Sequence, residues 1–136
     1  MLRSLIIGDI LAILVMTLIG FWFHYREIRG WRWLTTFFPV LIAWFAIAPW
    51  LGVYRMDLAC SGRHVWRPAL AALLSAPLAA WLRAVWLNAA IVPVTAIAPI
   101  FVLVLGLTDA LGFLIWRFLW VTRGFRTISN WFKTNQ

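Results

Sequence analysis

Five ionisable side chains fall within or at the ends of long apolar stretches: Asp9, His24, Arg83, Asp109 and Arg117. A charge in hydrocarbon costs several kcal/mol unless it is paired or hydrated, so each is a candidate for function. On a helix turning about 100° per residue, Gly20 lies about 20° and His24 about 60° from Asp9, which puts the three on one face. Gly20 there would allow a neighbouring helix to approach closely. Asp109 stands between Gly106 and Gly112, with Arg117 eight residues on and roughly 80° round the same helix. Two chemistries follow. Asp9 and Asp109 could face each other across a bundle and relay protons or bind a cation. Alternatively each pairs with an arginine at the membrane rim, Arg67 and Arg117 being nearest, and pins its helix in register. Four helices leave little room for a water-filled path unless the chain oligomerises, so the sequence favours pinning. Arg83, near the far end of its segment, is expected to snorkel outward.

Other chemistries find no support. His24 and His64 are expected on opposite membrane faces, so they cannot share a metal ion. His24 alone reads as an interfacial polar residue, not an axial ligand, and no cofactor is expected. Ser4, Ser61, Ser75 and Ser129 have no histidine in a recognisable nucleophile motif. No glycine-rich phosphate loop occurs. Cys60 is the only cysteine, which excludes an internal disulfide. Trp44 and Trp81 lie deeper in their segments than the other tryptophans. They read as bundle packing or lipid-facing rings, with a wall for a flat lipophilic cofactor as the weaker possibility.

The elements that carry these residues are long and apolar. Of 136 residues, 65% are hydrophobic and 12% charged, and mean hydropathy is +0.92. A soluble globular domain carries about 25% charged residues, so this composition argues for a membrane protein. Four segments are long enough to cross hydrocarbon, at about 4–23, 34–54, 68–87 and 92–120, the last with Pro93 and Pro99 at its entry so that its straight part starts near Pro99. Asp9 interrupts the first, and no small-residue cleavage site follows it, so it reads as a retained helix and not a signal peptide. Continuous apolar runs favour helices over a barrel, because each helix satisfies its own backbone in lipid.

Twelve basic residues outnumber four acidic ones, for a net charge of +8. They fall between apolar runs and leave no polar face for nucleic acid, so they read as membrane-flanking charges facing a lipid bilayer. One side of the membrane collects Arg3, Arg55, Arg63, Arg67, Arg117, Arg123, Arg126 and Lys133, and the other Arg26, Arg29, Arg32 and Arg83. This bias places both termini in the cytoplasm. Trp22, Trp31, Trp33, Trp50, Trp66, Trp86, Trp116 and Trp120 sit near expected helix ends, as interfacial indoles do. Residues 124–136 form a short tail with Phe125, Ile128 and Phe132 at helical spacing, expected to lie on the anionic leaflet. Pro49 and Pro77 are expected to kink their helices. Ala72, Ala76 and Ala80 form a small-residue stripe suited to close helix association, within this chain or with another.

The ordered series Asp9, Gly20, His24, Pro39, Trp81-Leu82-Arg83, Phe101-Val102-Leu103-Val104 and Leu114-Ile115-Trp116-Arg117 resembles a bacterial family of small four-helix membrane proteins known only as a domain of unknown function. The resemblance covers about residues 8–118. It departs at Phe21-Trp22-Phe23, where the family carries a basic pair, so no anion-binding role carries over to that spot. It implies a four-helix integral membrane protein and assigns no activity.

The expectation is therefore a single all-α transmembrane domain over residues 1–136, a polytopic four-helix bundle in the bacterial inner membrane. Its expected role is a non-enzymatic scaffold or subunit that associates with itself or with other membrane proteins. The alternative is a small oligomeric proton- or cation-coupled transporter or channel using Asp9 and Asp109.

Overall fold

The structure is a computed structural model. It describes residues 2–25, 30–91 and 93–134, and side chains up to Thr122 apart from that of Tyr25. Five α-helices occur among the described residues, and no strand: α1 (Leu2–Tyr25), α2 (Leu34–Ile47), α3 (Met56–Ala59), α4 (Trp66–Asn88) and α5 (Pro99–Thr134). The chain is a multi-pass membrane protein, with spans at Leu2–His24, Leu34–Leu51, Gly62–Asn88 and Pro99–Thr122.

Local chemistry sets the boundaries. The second span stops being α-helical at Ile47 and closes with a 3-10 turn, Ala48–Leu51, that has Pro49 in its first turn. Proline lacks an N–H and its ring crowds the preceding carbonyls, so here Pro49 ends the helix where a kink was expected. Gly52 follows with φ +67°, a left-handed conformation that costs glycine nothing. Pro77, by contrast, lies inside α4, which continues past it to Asn88. Pro93 and Pro99 bracket the short turn Val94–Ala96, and α5 starts at Pro99, where the straight part of the last segment is expected to begin. The α5 backbone then runs without a break to Thr134, so the tail extends the last helix. The faces of that tail, and Arg26 and Arg29 of the first loop, lie outside the described residues.

Lipid is as apolar as leucine, so helices in it associate through close packing and polar contacts. Helix α4 is central and packs chiefly against α5 and α2. Its buried face is almost all small: Ala71, Ala72, Ser75, Ala76, Ala79 and Ala80. Gly106 of α5 meets it so closely that a Cβ there would lie 3.0 Å from that of Ala76. The alanine stripe is thus occupied within the chain. Larger core groups fill the space between α1, α2 and α5: Ile13, Val40, Trp44 and Phe113, with the Trp44 and Phe113 rings stacked at 3.7 Å. Helix α1 presents Leu5, Asp9, Ile13 and Thr17 inward and Ile7, Leu11, Val15 and Trp22 outward to lipid.

The α1–α5 contact depends on two glycines. A Cβ on Gly8 would fall inside the Trp116 indole, and one on Gly112 would lie 2.5 Å from Cγ of Met16. Gly20, expected at a close approach, has nothing within 4 Å of its Cβ position. We therefore expect Gly8→Ala to lower stability by about 1–3 kcal/mol, as overpacking against a rigid ring does. Gly112→Ala should cost less, because methionine yields, and Gly20→Ala should be neutral or mildly stabilising. Unfolding of the three variants in mixed micelles tests that order; an equal loss at Gly8 and Gly20 would contradict the packing described.

Candidate functional site

Helix periodicity brings Asp109, Phe113 and Arg117 to one face of α5, and that face looks toward α1. Antiparallel packing sets Gly8 against Trp116 and Met16 against Gly112, so Asp9 lies level with Arg117. The Asp9 carboxylate is fully buried. Arg117 Nη2 donates to its Oδ2 at 2.8 Å, and Trp116 Nε1 donates to its Oδ1 at 3.0 Å. Trp44 Nε1 donates to the Tyr54 hydroxyl at 2.8 Å, and that hydroxyl also engages Asp9. Burial first, and the Asp9 charge second, push the Tyr54 phenol up from its ordinary value, so it remains a protonated donor. Each carboxylate oxygen is thereby held, and Asp9 joins α1 to α5 and to the end of the second span.

Arg117 is the partner that pinning requires, and it takes Asp9 out of any relay with Asp109. The two aspartates do not face each other. Asp109 lies eight residues before Arg117, about 12 Å along α5, near the middle of its span and not in the half that holds Asp9. Asp109 is 7% exposed and forms no hydrogen bond or ion pair among the described residues. Arg67, the other expected rim partner, instead donates from Nη1 to the Leu51 carbonyl at 3.0 Å.

Asp109 opens onto a cavity of about 270 Å³ between α1, α2, α4 and α5, whose polar lining is Thr17, His24, Thr36, Arg83, Thr108 and Asp109. The cavity runs from mid-span to the end of α1, opposite the N-terminus, where His24 is exposed. Arg83 does not snorkel outward. Its Nε donates to Thr36 Oγ1 at 2.9 Å, and its guanidinium lies 5.2 Å from the centre of the Phe101 ring. Gly20 lines this cavity, which explains the open space at its Cβ position. The five residues singled out by sequence therefore divide in two: Asp9 and Arg117 form a closed pair, while His24, Arg83 and Asp109 share a cavity. Trp44 offers no face to a flat cofactor, since Phe113 occupies it, and Trp81 is half-buried.

Residues 6–120 match the family described as "Protein of unknown function (DUF3054)". The chain belongs to this family. No curated protein and no solved structure matches it.

Removing one partner of a buried ion pair strands the other, so Asp9→Asn or Arg117→Met should each destabilise the DUF3054 chain by about 3–5 kcal/mol. The double variant should lose clearly less than the sum. Unfolding free energies of the four species close this cycle; strict additivity would mean the pair contributes nothing.

Proposed function

We propose that this protein is a non-enzymatic, multi-pass protein of the bacterial inner membrane that works as a small proton-coupled transporter, with Asp109 as the group that takes the proton. The single observation behind this reading is Asp109 itself, a carboxyl without a partner among the described residues, at mid-span on a polar cavity. Leaving a charge unpaired in a bilayer is costly, and such groups mark ion and proton paths. A proton suits the cavity better than a metal cation does. A metal needs a shell of ligands, and among the described residues the lining offers one carboxylate, Asp109, and one imidazole, His24, whereas a proton binds to the carboxyl itself. The hydroxyls of Thr17, Thr36 and Thr108, with the His24 imidazole, supply hydrogen-bonding groups between Asp109 and the open end.

The basic residues clustered at the N-terminal end support cytoplasmic termini, and the cavity would then open to the opposite side. The cytoplasmic half is filled by the Trp44–Phe113 stack and the Asp9–Arg117 pair, so onward transfer needs this plug to move, within a homo-oligomer or beside another membrane protein. The scaffold role draws less support, because the alanine stripe that suggested it is packed against α5 and α2 of the same chain.

Protein reconstituted in liposomes with an enclosed pH dye provides the test. An imposed gradient should dissipate faster than in protein-free vesicles, and Asp109→Asn should return the rate to that background. Asp57→Asn, at an exposed carboxylate beside Arg55, should leave it unchanged. Equal rates for wild type and a folded Asp109→Asn variant would sink the proposal.

A further inference from the structure

A second cavity lies at the other end of the bundle, under the connection between α2 and α4, and shares no lining residue with the cavity that holds Asp109. It has a volume of about 10 Å³ and is lined in part by Gly52, Leu58, Ser61, His64, Arg67 and Arg117. That is room for one water-sized group. Arg117 is 2% exposed, and while its Nη2 is bonded to Asp9, its Nε and Nη1 have no acceptor among the described residues. Arg67 is in the same position: Nη1 reaches the Leu51 carbonyl, and the buried Nε reaches nothing. His64 Nδ1 is also buried and without a partner.

We propose that this cavity is an oxyanion site that seats one oxygen of a phosphate group between Arg67 and Arg117. Buried polar groups are almost always hydrogen-bonded, so a cluster of orphaned donors marks a missing acceptor. A guanidinium only donates, which fixes the polarity of the absent group. Asp9 balances Arg117, but Arg67 has no carboxylate partner among the described residues, so the site carries an uncompensated positive charge. Planar guanidinium forks match phosphate oxygens. The cavity admits one oxygen, so the rest of the phosphate stays at its mouth.

That mouth lies where a bilayer surface would be. Arg67 stands in the first turn of α4, a 23-residue helix whose N-terminal dipole favours an anion. Its guanidinium lies 5.5 Å from the centre of the Trp66 ring, which is half-exposed at the helix end as interfacial indoles are. The phosphate could come from an anionic phospholipid headgroup or from free phosphate in solution.

Full-length protein in maltoside micelles distinguishes the two sources. Its thermal midpoint is followed against added inorganic phosphate, phosphatidylglycerol, or diacylglycerol, which has the same chains without the phosphate. A saturable rise with phosphatidylglycerol alone identifies a headgroup, and a rise with inorganic phosphate as well identifies a free anion; either supports the site. Arg67→Gln should weaken that binding about tenfold. Arg63→Gln removes the same charge from an exposed position nearby and should weaken it less than about twofold. Should Arg67→Gln fail to fold, Arg67→Lys serves instead, since it keeps the charge and loses the fork, and it too should bind severalfold more weakly. No saturable rise with either phosphate compound, an equal rise with diacylglycerol, or equal weakening by Arg63→Gln would overturn the assignment, leaving the cavity to a water molecule.

Discussion

The Asp9–Arg117 pair is the constraint on which the rest of the bundle depends. Neither charge is tolerable alone in hydrocarbon, so α1 and α5 must sit at the one register that lets the two meet. That register forces Gly8 against the Trp116 ring and Gly112 against Met16, and larger residues at either glycine would push the helices apart. It also aligns Trp116 to donate to the second carboxylate oxygen and lets Tyr54, three residues past the second span, close the group. Apolar packing in lipid discriminates weakly between registers, because sliding one greasy helix along another exposes nothing that lipid resists. A buried charge pair with directional bonds discriminates strongly.

The same economy explains why part of the fold was legible in the sequence and part was not. Four apolar runs and their punctuation by proline, glycine and arginine announce four spans, because hydrocarbon excludes open backbone whatever the packing. Which face of each helix turns inward is another matter. On α1 the inward Leu5 and Ile13 and the outward Ile7, Leu11 and Val15 are equally apolar, so polarity carries no signal of direction. Only Asp9 and Thr17 mark the inner face. Small residues are similarly ambiguous: Gly8 and Gly20 are alike in sequence, yet one meets an indole and the other lines a cavity. Trp116 looked like a headgroup-level ring, because an indole at a helix end suits an interface whether or not its N–H reaches a carboxylate. The depth of Asp109 depends on where α5 begins. The prolines mark that start, since Pro99 is both the expected and the observed first residue of the helix, but depth along one helix does not say which neighbour faces it.

The site was half legible for the same reason. Charge in an apolar run singled out Asp9, His24, Arg83, Asp109 and Arg117, but spacing within one helix cannot assign partners across helices. Arg117 could have served either aspartate. What decides is the antiparallel offset of α1 and α5, which puts Arg117 level with Asp9 and leaves Asp109 about 12 Å away. Thr36 and Tyr54, which complete the two polar groups, carry no charge, and nothing in their immediate sequence distinguishes them from ordinary loop and helix-end residues.

The bundle is consequently polar at both ends in opposite ways. Toward the N-terminal end, Asp9 and Arg117 pair, aromatic rings stack and the remaining gap beside Arg67 admits one small group. Toward the other end, Asp109, Arg83 and His24 share a cavity large enough for several waters or a small solute. Such an arrangement separates two demands that conflict within a single helix pair. A rigid join needs a partner for each buried charge, whereas the proton exchange proposed for Asp109 needs a carboxyl left unmatched and accessible. Placing the join at one level of α5 and the open carboxyl two turns away on the same helix face satisfies both.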